Sequence, residues 1–286
     1  MFAGRRGSAA YWTVHMVPTE DFRTAEESLA HFEWRNSLYP GYIDLMPVRG
    51  HDGKVIVDYG CGPGNDVVGF SSYSNPERLI AIDVSLTALE ASRKRLALHD
   101  KVAEFVHVDE VANSLPIADN SVDLIHSSGV LHHCANLPAI LEEFHRILRA
   151  NGELQIMVYN YQSIWLHLYV AYFHQLEMGR YQGKSIADAF RRTTDGESCP
   201  IAHCYTPDQF LDLMSRNGFD GEFRGASISL TEMKVLQKRF DAIGDRRLAK
   251  EHRDFLSSLT FDERGIPRYL GAVAGIGACY KFTKRD

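Results

Sequence analysis

The residues best placed to do chemistry lie in Val55-Ile-Val-Asp58-Tyr-Gly60-Cys61-Gly62-Pro63-Gly64-Asn65-Asp66. Val55 to Val57 read as a buried strand that runs into three alternating glycines. Glycines allow a turn with positive φ and a close backbone approach to a ligand, and a helix opening straight after the turn presents its positive end there. This is the layout of a nucleotide-type cofactor site. The dinucleotide fingerprint requires a glycine three places after the second one, where helix and strand pack closely. That place is Asn65; the third glycine is Gly64, with the acid Asp58 at the end of the strand.

Two further acids follow the same logic. Arg78 to Asp83 reads as a second strand, and Asp83 lies about 25 residues beyond Asp58, close to the spacing at which a carboxylate meets a ribose diol. Ser85 is placed to cap a helix, and Leu86, Leu89 and Leu96 recur at helical spacing. Ala103 to Asp109 reads as a third strand ending in an acid, and Leu115 to Ser128 as a turn and fourth strand. Ligands of open α/β sheets bind outside the carboxyl ends of the strands, so Asp58, Asp83 and Asp109 are expected on one crevice.

With Gly60-Cys-Gly-Pro-Gly64, Asp83, the stretch from Asp109 to Asp123, Val130-Leu-His-His133 and the helix Leu137 to Leu148 followed by Arg149-Ala-Asn-Gly152, the chain resembles the class I S-adenosylmethionine (SAM) dependent methyltransferases. It is most similar to the small-molecule enzymes related to ubiquinone and menaquinone biosynthesis. The likeness spans about residues 50 to 160, with a looser echo at Tyr205 to Phe210 and Asn217 to Phe219. It implies an α/β fold: a doubly wound, seven-stranded, mostly parallel sheet with an antiparallel last strand, plus helical lid segments. It implies that Asp58, Gly60, Gly62 and Gly64 line the methionine side of SAM, that Asp83 takes the ribose hydroxyls, that Asp109 takes the adenine amine with Glu110 beside it, and that Ser127 lies near the sulfonium. Asp83 stands where the family also uses glutamate, and Val122 where it often has phenylalanine.

The expected activity is transfer of a methyl group by in-line displacement to a small-molecule nucleophile, with S-adenosylhomocysteine released. A sulfonium methyl is already activated, so the protein mainly aligns the acceptor and excludes water; orientation supplies up to about 7–11 kcal/mol. An acceptor that must lose a proton needs a base, and His132 and His133 are the candidates, since imidazole titrates near neutrality. Tyr11, Arg35, Tyr159 and Tyr205 are candidate substrate contacts, with Asn160 and Tyr161 close by. Cys199, His203 and Cys204 invite a metal reading, but structural zinc wants four ligands and no second cysteine pair exists, so no metal is expected. Two rivals stand beside this reading: a SAM-binding regulator without catalysis, and an NAD-dependent oxidoreductase, which Asn65 and Asp109 disfavour.

The remaining sequence must position these groups. The chain of 286 residues with 45% hydrophobic residues buries a core easily, and a net charge of −6 offers no basic face for nucleic acid. Five cysteines at irregular spacing are unlike a disulfide framework, and no export or membrane segment stands out, which predicts a soluble cytoplasmic protein. Residues 1–50 read as an N-terminal helical lid, with a helix from Glu26 to Tyr39 packed by Leu29, Phe32, Trp34 and Leu38. Residues 51–286 form the catalytic domain, with helical insertions at about 163–205 and 229–269. Ser163 caps an amphipathic helix with Ile164, Trp165, Leu168, Tyr169, Tyr172, Phe173 and Leu176 on one face and His167, Ala171, His174 and Gln175 on the other. A cap over the site, a homodimer surface or a membrane surface would each bury the apolar face; little basic charge flanks it, so the membrane option is weakest.

Overall fold

The structure, a computed structural model, describes residues 8–15, 21–109 and 114–285. Its centre is a seven-stranded sheet whose strands, numbered within that sheet, are β1 (Val55–Tyr59), β2 (Arg78–Asp83), β3 (Glu104–His107), β4 (Val122–Ser128), β5 (Leu148–Tyr159), β6 (Phe219–Ser227) and β7 (Gly277–Lys284). They run in the order 3-2-1-4-5-7-6. β1 to β5 pair in parallel, and β7 lies antiparallel between β5 and β6. The doubly wound sheet and its antiparallel last strand are as expected from the sequence.

Helices cover both faces because the central strands are apolar on both. Val55 and Val57 of β1 and Ile80 and Ile82 of β2 enter one core, with Leu141 and Phe144 of the helix Leu137–Ile147. The intervening Ile56, Leu79 and Ala81 enter the other, with Val67 and Phe70 of α4 (Asn65–Tyr73) and Leu89 and Leu96 of α5 (Leu86–Ala97). This alternation is the period-2 pattern of strands buried on both faces. Ser85 caps α5 by accepting the Ala88 N–H at 3.2 Å, whereas Leu86 is exposed. In the helix Ala25–Ser37, Phe32 is buried and Trp34 is exposed.

The insertions depart from expectation. Ser163 does cap the helix that follows, its Oγ accepting the Leu166 N–H at 3.2 Å. However, Trp165–Glu177 is π-wound, with Met178 N–H reaching the Phe173 carbonyl. It is buried on both sides. Ile164, Leu168, Ala171 and Tyr172 join one apolar cluster with Phe255 and Leu256; Leu166 and Val170 join another with Phe190 and Ile276. His167 and His174, assigned to a polar face, are buried too. The amphipathic reading fails because later segments cover the helix on more than one side: the His167 ring stacks on Phe255 and meets His252 of Lys250–Ser257, while Leu166 and Val170 pack on Phe190 of Ile186–Asp195. No helix among the described residues is long and apolar enough to cross a membrane. The later insertion holds the helices Leu230–Val235 and Lys250–Ser257 and, unforeseen in the sequence, a three-stranded sheet of Thr260–Phe261, Pro267–Tyr269 and Ala272–Val273.

One buried carboxylate ties these insertions together. Glu232 Oε2 accepts the Ser229 N–H and hydroxyl at 2.7 and 2.9 Å, and Oε1 accepts the Trp165 N–H at 3.0 Å. Ile276 N–H bonds it as well. In Glu232→Gln an amide N–H₂ replaces one acceptor and leaves a buried backbone N–H unpaired. A loss of about 1–3 kcal/mol is expected in chemical denaturation, and an unchanged midpoint would contradict the assignment.

Candidate active site

The glycine turn is closed against β2. Gly60 and Cys61 N–H both donate to the Ile82 carbonyl, at 2.8 and 2.9 Å, and Gly64 N–H donates to the Cys61 carbonyl at 3.1 Å. Gly62 N–H donates to Asp83 Oδ2 and Ser85 N–H to Asp83 Oδ1, each at 2.8 Å. The amides therefore bond inward and are not offered to a pyrophosphate, as those of a dinucleotide loop would be. Two glycines are required for different reasons. Gly62 has φ +52° and its missing side chain would point into open space. Gly64 has φ +82°, and a Cβ there would stand 2.3 Å from Ser92 Oγ, so α4 and α5 approach too closely for any side chain.

Beside the turn lies a cavity of about 180 Å³. Gly60, Gly62, Asp83, Val108, Asp109 and Leu115 line it, together with Trp12 and His133, whose rings lie 4.6 Å apart. Ile82, Val84, Ala88 and Ile140 make much of the surface apolar. Its acidic lining residues are Asp83 and Asp109, with His133, Tyr59 and Cys134 as the other ionisable side chains; no lysine or arginine is among the described residues of the wall. Burial pushes the Asp83 carboxyl up, opposed by the backbone N–H groups of Ser85, Gly62 and Val84. A carboxylate has about four acceptor positions, so Asp83 can hold these amides and still accept from a diol.

The other expected residues divide sharply by position. Asp58 lies beneath the turn, not on the cavity wall, and is 2% exposed. It shares a buried cluster with Asp66 and His126, whose Nε2 donates to Asp66 Oδ2 at 3.1 Å, and burial raises Asp58 to about 7 despite the His126 charge. Ser127 is fully buried, its hydroxyl donating to the Tyr59 carbonyl at 3.0 Å; successive strand residues face opposite ways, and Ser128 is the one on the cavity. Glu110 lies outside the described residues. Arg35 is half-buried in the helix Ala25–Ser37 and does not line the cavity; its charge acts on Asp66. Tyr205 packs on Phe210, away from the cavity wall.

The histidines split in the same way. His133 lines the cavity with the Trp12 ring 4.6 Å away, while His132 sits fully buried behind it, 3.8 Å from the Tyr159 ring, with neither ring nitrogen hydrogen-bonded among the described residues. Burial lowers both, His133 to about 4. His133 Nδ1 donates to the Ile201 carbonyl at 2.7 Å, which leaves the Nε2 lone pair exposed to neighbours. Tyr11 and Tyr159 meet at one residue that the sequence did not single out. Tyr159 hydroxyl donates to Asp195 Oδ1 at 2.6 Å, and Tyr11 hydroxyl donates to the Asp195 carbonyl. Trp12 lies beyond the sequence reading: adjacent helical residues point about 100° apart, and Trp12, not its neighbour Tyr11, lines the cavity. Asp195 carried no sequence signal beyond being an acid before a glycine, Gly196.

Residues 57–156 match the family model described as "Methyltransferase domain". A protein of transposon TN4556 from Streptomyces fradiae is 29% identical over 58% of this chain and 46% of its own length. A malonyl-[acyl-carrier protein] O-methyltransferase of Yersinia pestis is 32% identical over 36% of this chain and 35% of its own. The chain thus spans less than half the length of these curated relatives. Among solved structures, the fold is shared with YcgJ of Bacillus subtilis (15% identity, TM-score 0.52, 91% of this chain and 99% of that one). It is shared also with a SAM-dependent methyltransferase of Mesorhizobium loti (18% identity, TM-score 0.53, 85% and 97%).

The buried Asp58 makes stability depend on pH in a defined direction. Its carboxyl rises from 3.8 to about 7 on folding, so the fold favours the protonated form; that contribution is complete below the unfolded value and is lost as pH climbs through the folded one. Asp58→Asn has no such proton to lose. Denaturation at a series of pH values should show the variant gaining on the wild type across this window, and parallel profiles would refute the shift.

Proposed function

We propose that the chain, whose residues 57–156 match a methyltransferase domain, is a class I SAM-dependent methyltransferase that transfers the methyl group of SAM to a small-molecule acceptor held beside Trp12 and His133 on the cavity wall. The observation that carries this reading is the wall itself: two carboxylates and no lysine or arginine among its described residues, beside a turn whose amides bond inward. Such a site suits a cationic sulfonium nucleoside and repels a pyrophosphate. The same feature disfavours the nicotinamide alternative.

When bound, SAM supplies an activated methyl group. Asp83, its amide bonds using only part of its acceptor capacity, would hold the ribose hydroxyls, and Asp109 at the end of the crevice the adenine amine, between Val108 and Leu115. Gly62, whose missing side chain faces open space, would leave room for the amino-acid tail, while Gly60 makes room for Val130 and Asp58 stays buried beneath the turn. Ser128 takes the place expected of Ser127 at the reacting end. Trp12 covers His133 and would keep bulk water from the acceptor. His133 is the one member of the histidine pair on the cavity wall, so it is the one able to touch the acceptor.

Calorimetry with SAM, S-adenosylhomocysteine and NAD tests the cofactor. SAM and its product should bind and NAD should not; Asp83→Ala should weaken both by roughly 10- to 100-fold, the cost of about 1.5–3 kcal/mol for a hydrogen bond to a charged group. Tight NAD binding with no response to SAM would overturn the reading. Methyl-labelled SAM incubated with a small-molecule extract should place label on a low-mass product. Binding without transfer to any fraction would favour the non-catalytic regulator.

A further inference from the structure

Next to the cavity, reached through His133 of its wall, lies a second constellation that methyl transfer does not require. His133 Nε2, an Asp195 carboxylate oxygen and Cys199 Sγ all lie within 4.8 Å of one another. We propose that these three side chains bind a transition-metal ion, zinc by the chemistry of the donors, with a fourth position left for water or for a heteroatom of the methyl acceptor.

Imidazole, carboxylate and thiolate form a mixed donor set suited to zinc, and three protein ligands with an open position are the arrangement of catalytic zinc sites. The outer contacts match such a site. His133 Nδ1 donates to the Ile201 carbonyl, which fixes the tautomer with Nε2 as the donor atom. Tyr159 hydroxyl steadies Asp195 Oδ1. Bonds of this kind orient and tune the ligands of metal sites. His133 Nε2 stands 3.7 Å from Asp195 Oδ1, beyond hydrogen-bond reach yet close enough for both to meet one ion. Asp195 Oδ2 is buried without a hydrogen-bond partner among the described residues.

Charge is balanced on binding. Cys199 Sγ, which donates to the Ile201 carbonyl at 3.4 Å in the thiol form, gives up its proton to solvent. Thiolate and carboxylate together then neutralise the dication. The nearby Arg191 is paired with Asp188 and also donates to the Cys199 carbonyl. The inference departs from the metal-free sequence expectation because only Cys199 belongs to the Cys199-His203-Cys204 stretch: His133 comes from a distant segment, and Asp195, four residues before Cys199, is a carboxylate. Only its place for an acceptor rests on the methyl-transfer reading; metal binding itself does not.

The test begins with zinc content of the purified full chain, followed by cobalt substitution read by absorption. Expected are about one ion per chain, a sulfur-to-cobalt charge-transfer band, and its loss in Cys199→Ser. Tyr159→Phe should weaken cobalt binding by about 10- to 100-fold. X-ray absorption of zinc in the wild-type protein should show a single sulfur ligand, which keeps the test open if Cys199→Ser does not fold. Absence of a bound ion, a band that survives Cys199→Ser in folded protein, or a sulfur count other than one would overturn the proposal. SAM affinity, measured separately by calorimetry, distinguishes failure here from failure of the methyltransferase reading.

Discussion

The arrangement of the site depends on the Asp83 carboxylate. One oxygen holds the amide of Gly62 and the other the amide of Ser85, so a single side chain at the end of β2 fastens both the glycine turn after β1 and the first turn of α5. The Ile82 carbonyl adds two more bonds to the same turn. These contacts follow from the β1–β2 register, which sets Tyr59 beside Ile82, and from the absence of side chains at the glycines. The group that shapes the turn is also the group presented to the cavity. Its backbone bonds draw on only part of its acceptor capacity, so the structural and binding roles do not compete.

Much of the fold was legible because the physics that set it is local. Continuous apolar runs marked the central parallel strands, Ser85 marked a helix start, and the acids at strand ends marked the open edge of the sheet. The insertions were not legible to the same degree. Trp165–Glu177 has enough apolar residues on one side to look amphipathic, and nothing in its own sequence reveals that His252 and Phe255, far along the chain, cover His167 on the other. The small sheet near the C-terminus rests on two- and three-residue strands, too short to show alternation.

At the site, the backbone pattern made part of the cavity lining legible, although Asp58 and Gly64 of the same pattern do not line it. Gly60, Gly62, Asp83 and Asp109 line the cavity because the turn and the strand ends place them there. Ser127 and Tyr11 each lie one residue from the position that does face it, since a one-residue offset reverses a strand side chain and swings a helical one away. Asp195 was illegible. Its importance arises from Tyr11, His133, Tyr159 and Cys199, which come from four separate segments and meet only in three dimensions.

The doubly covered π-wound helix has a consequence for how this protein can change. Its two apolar clusters take residues from both insertions and from Ile276, next to β7, while Tyr39 from the N-terminal segment packs on one of them. The insertions are therefore not detachable modules that could be exchanged one at a time. Replacing one segment would strip the hydrophobic cover from its neighbours, so this part of the fold changes most easily through coordinated small substitutions across all of them.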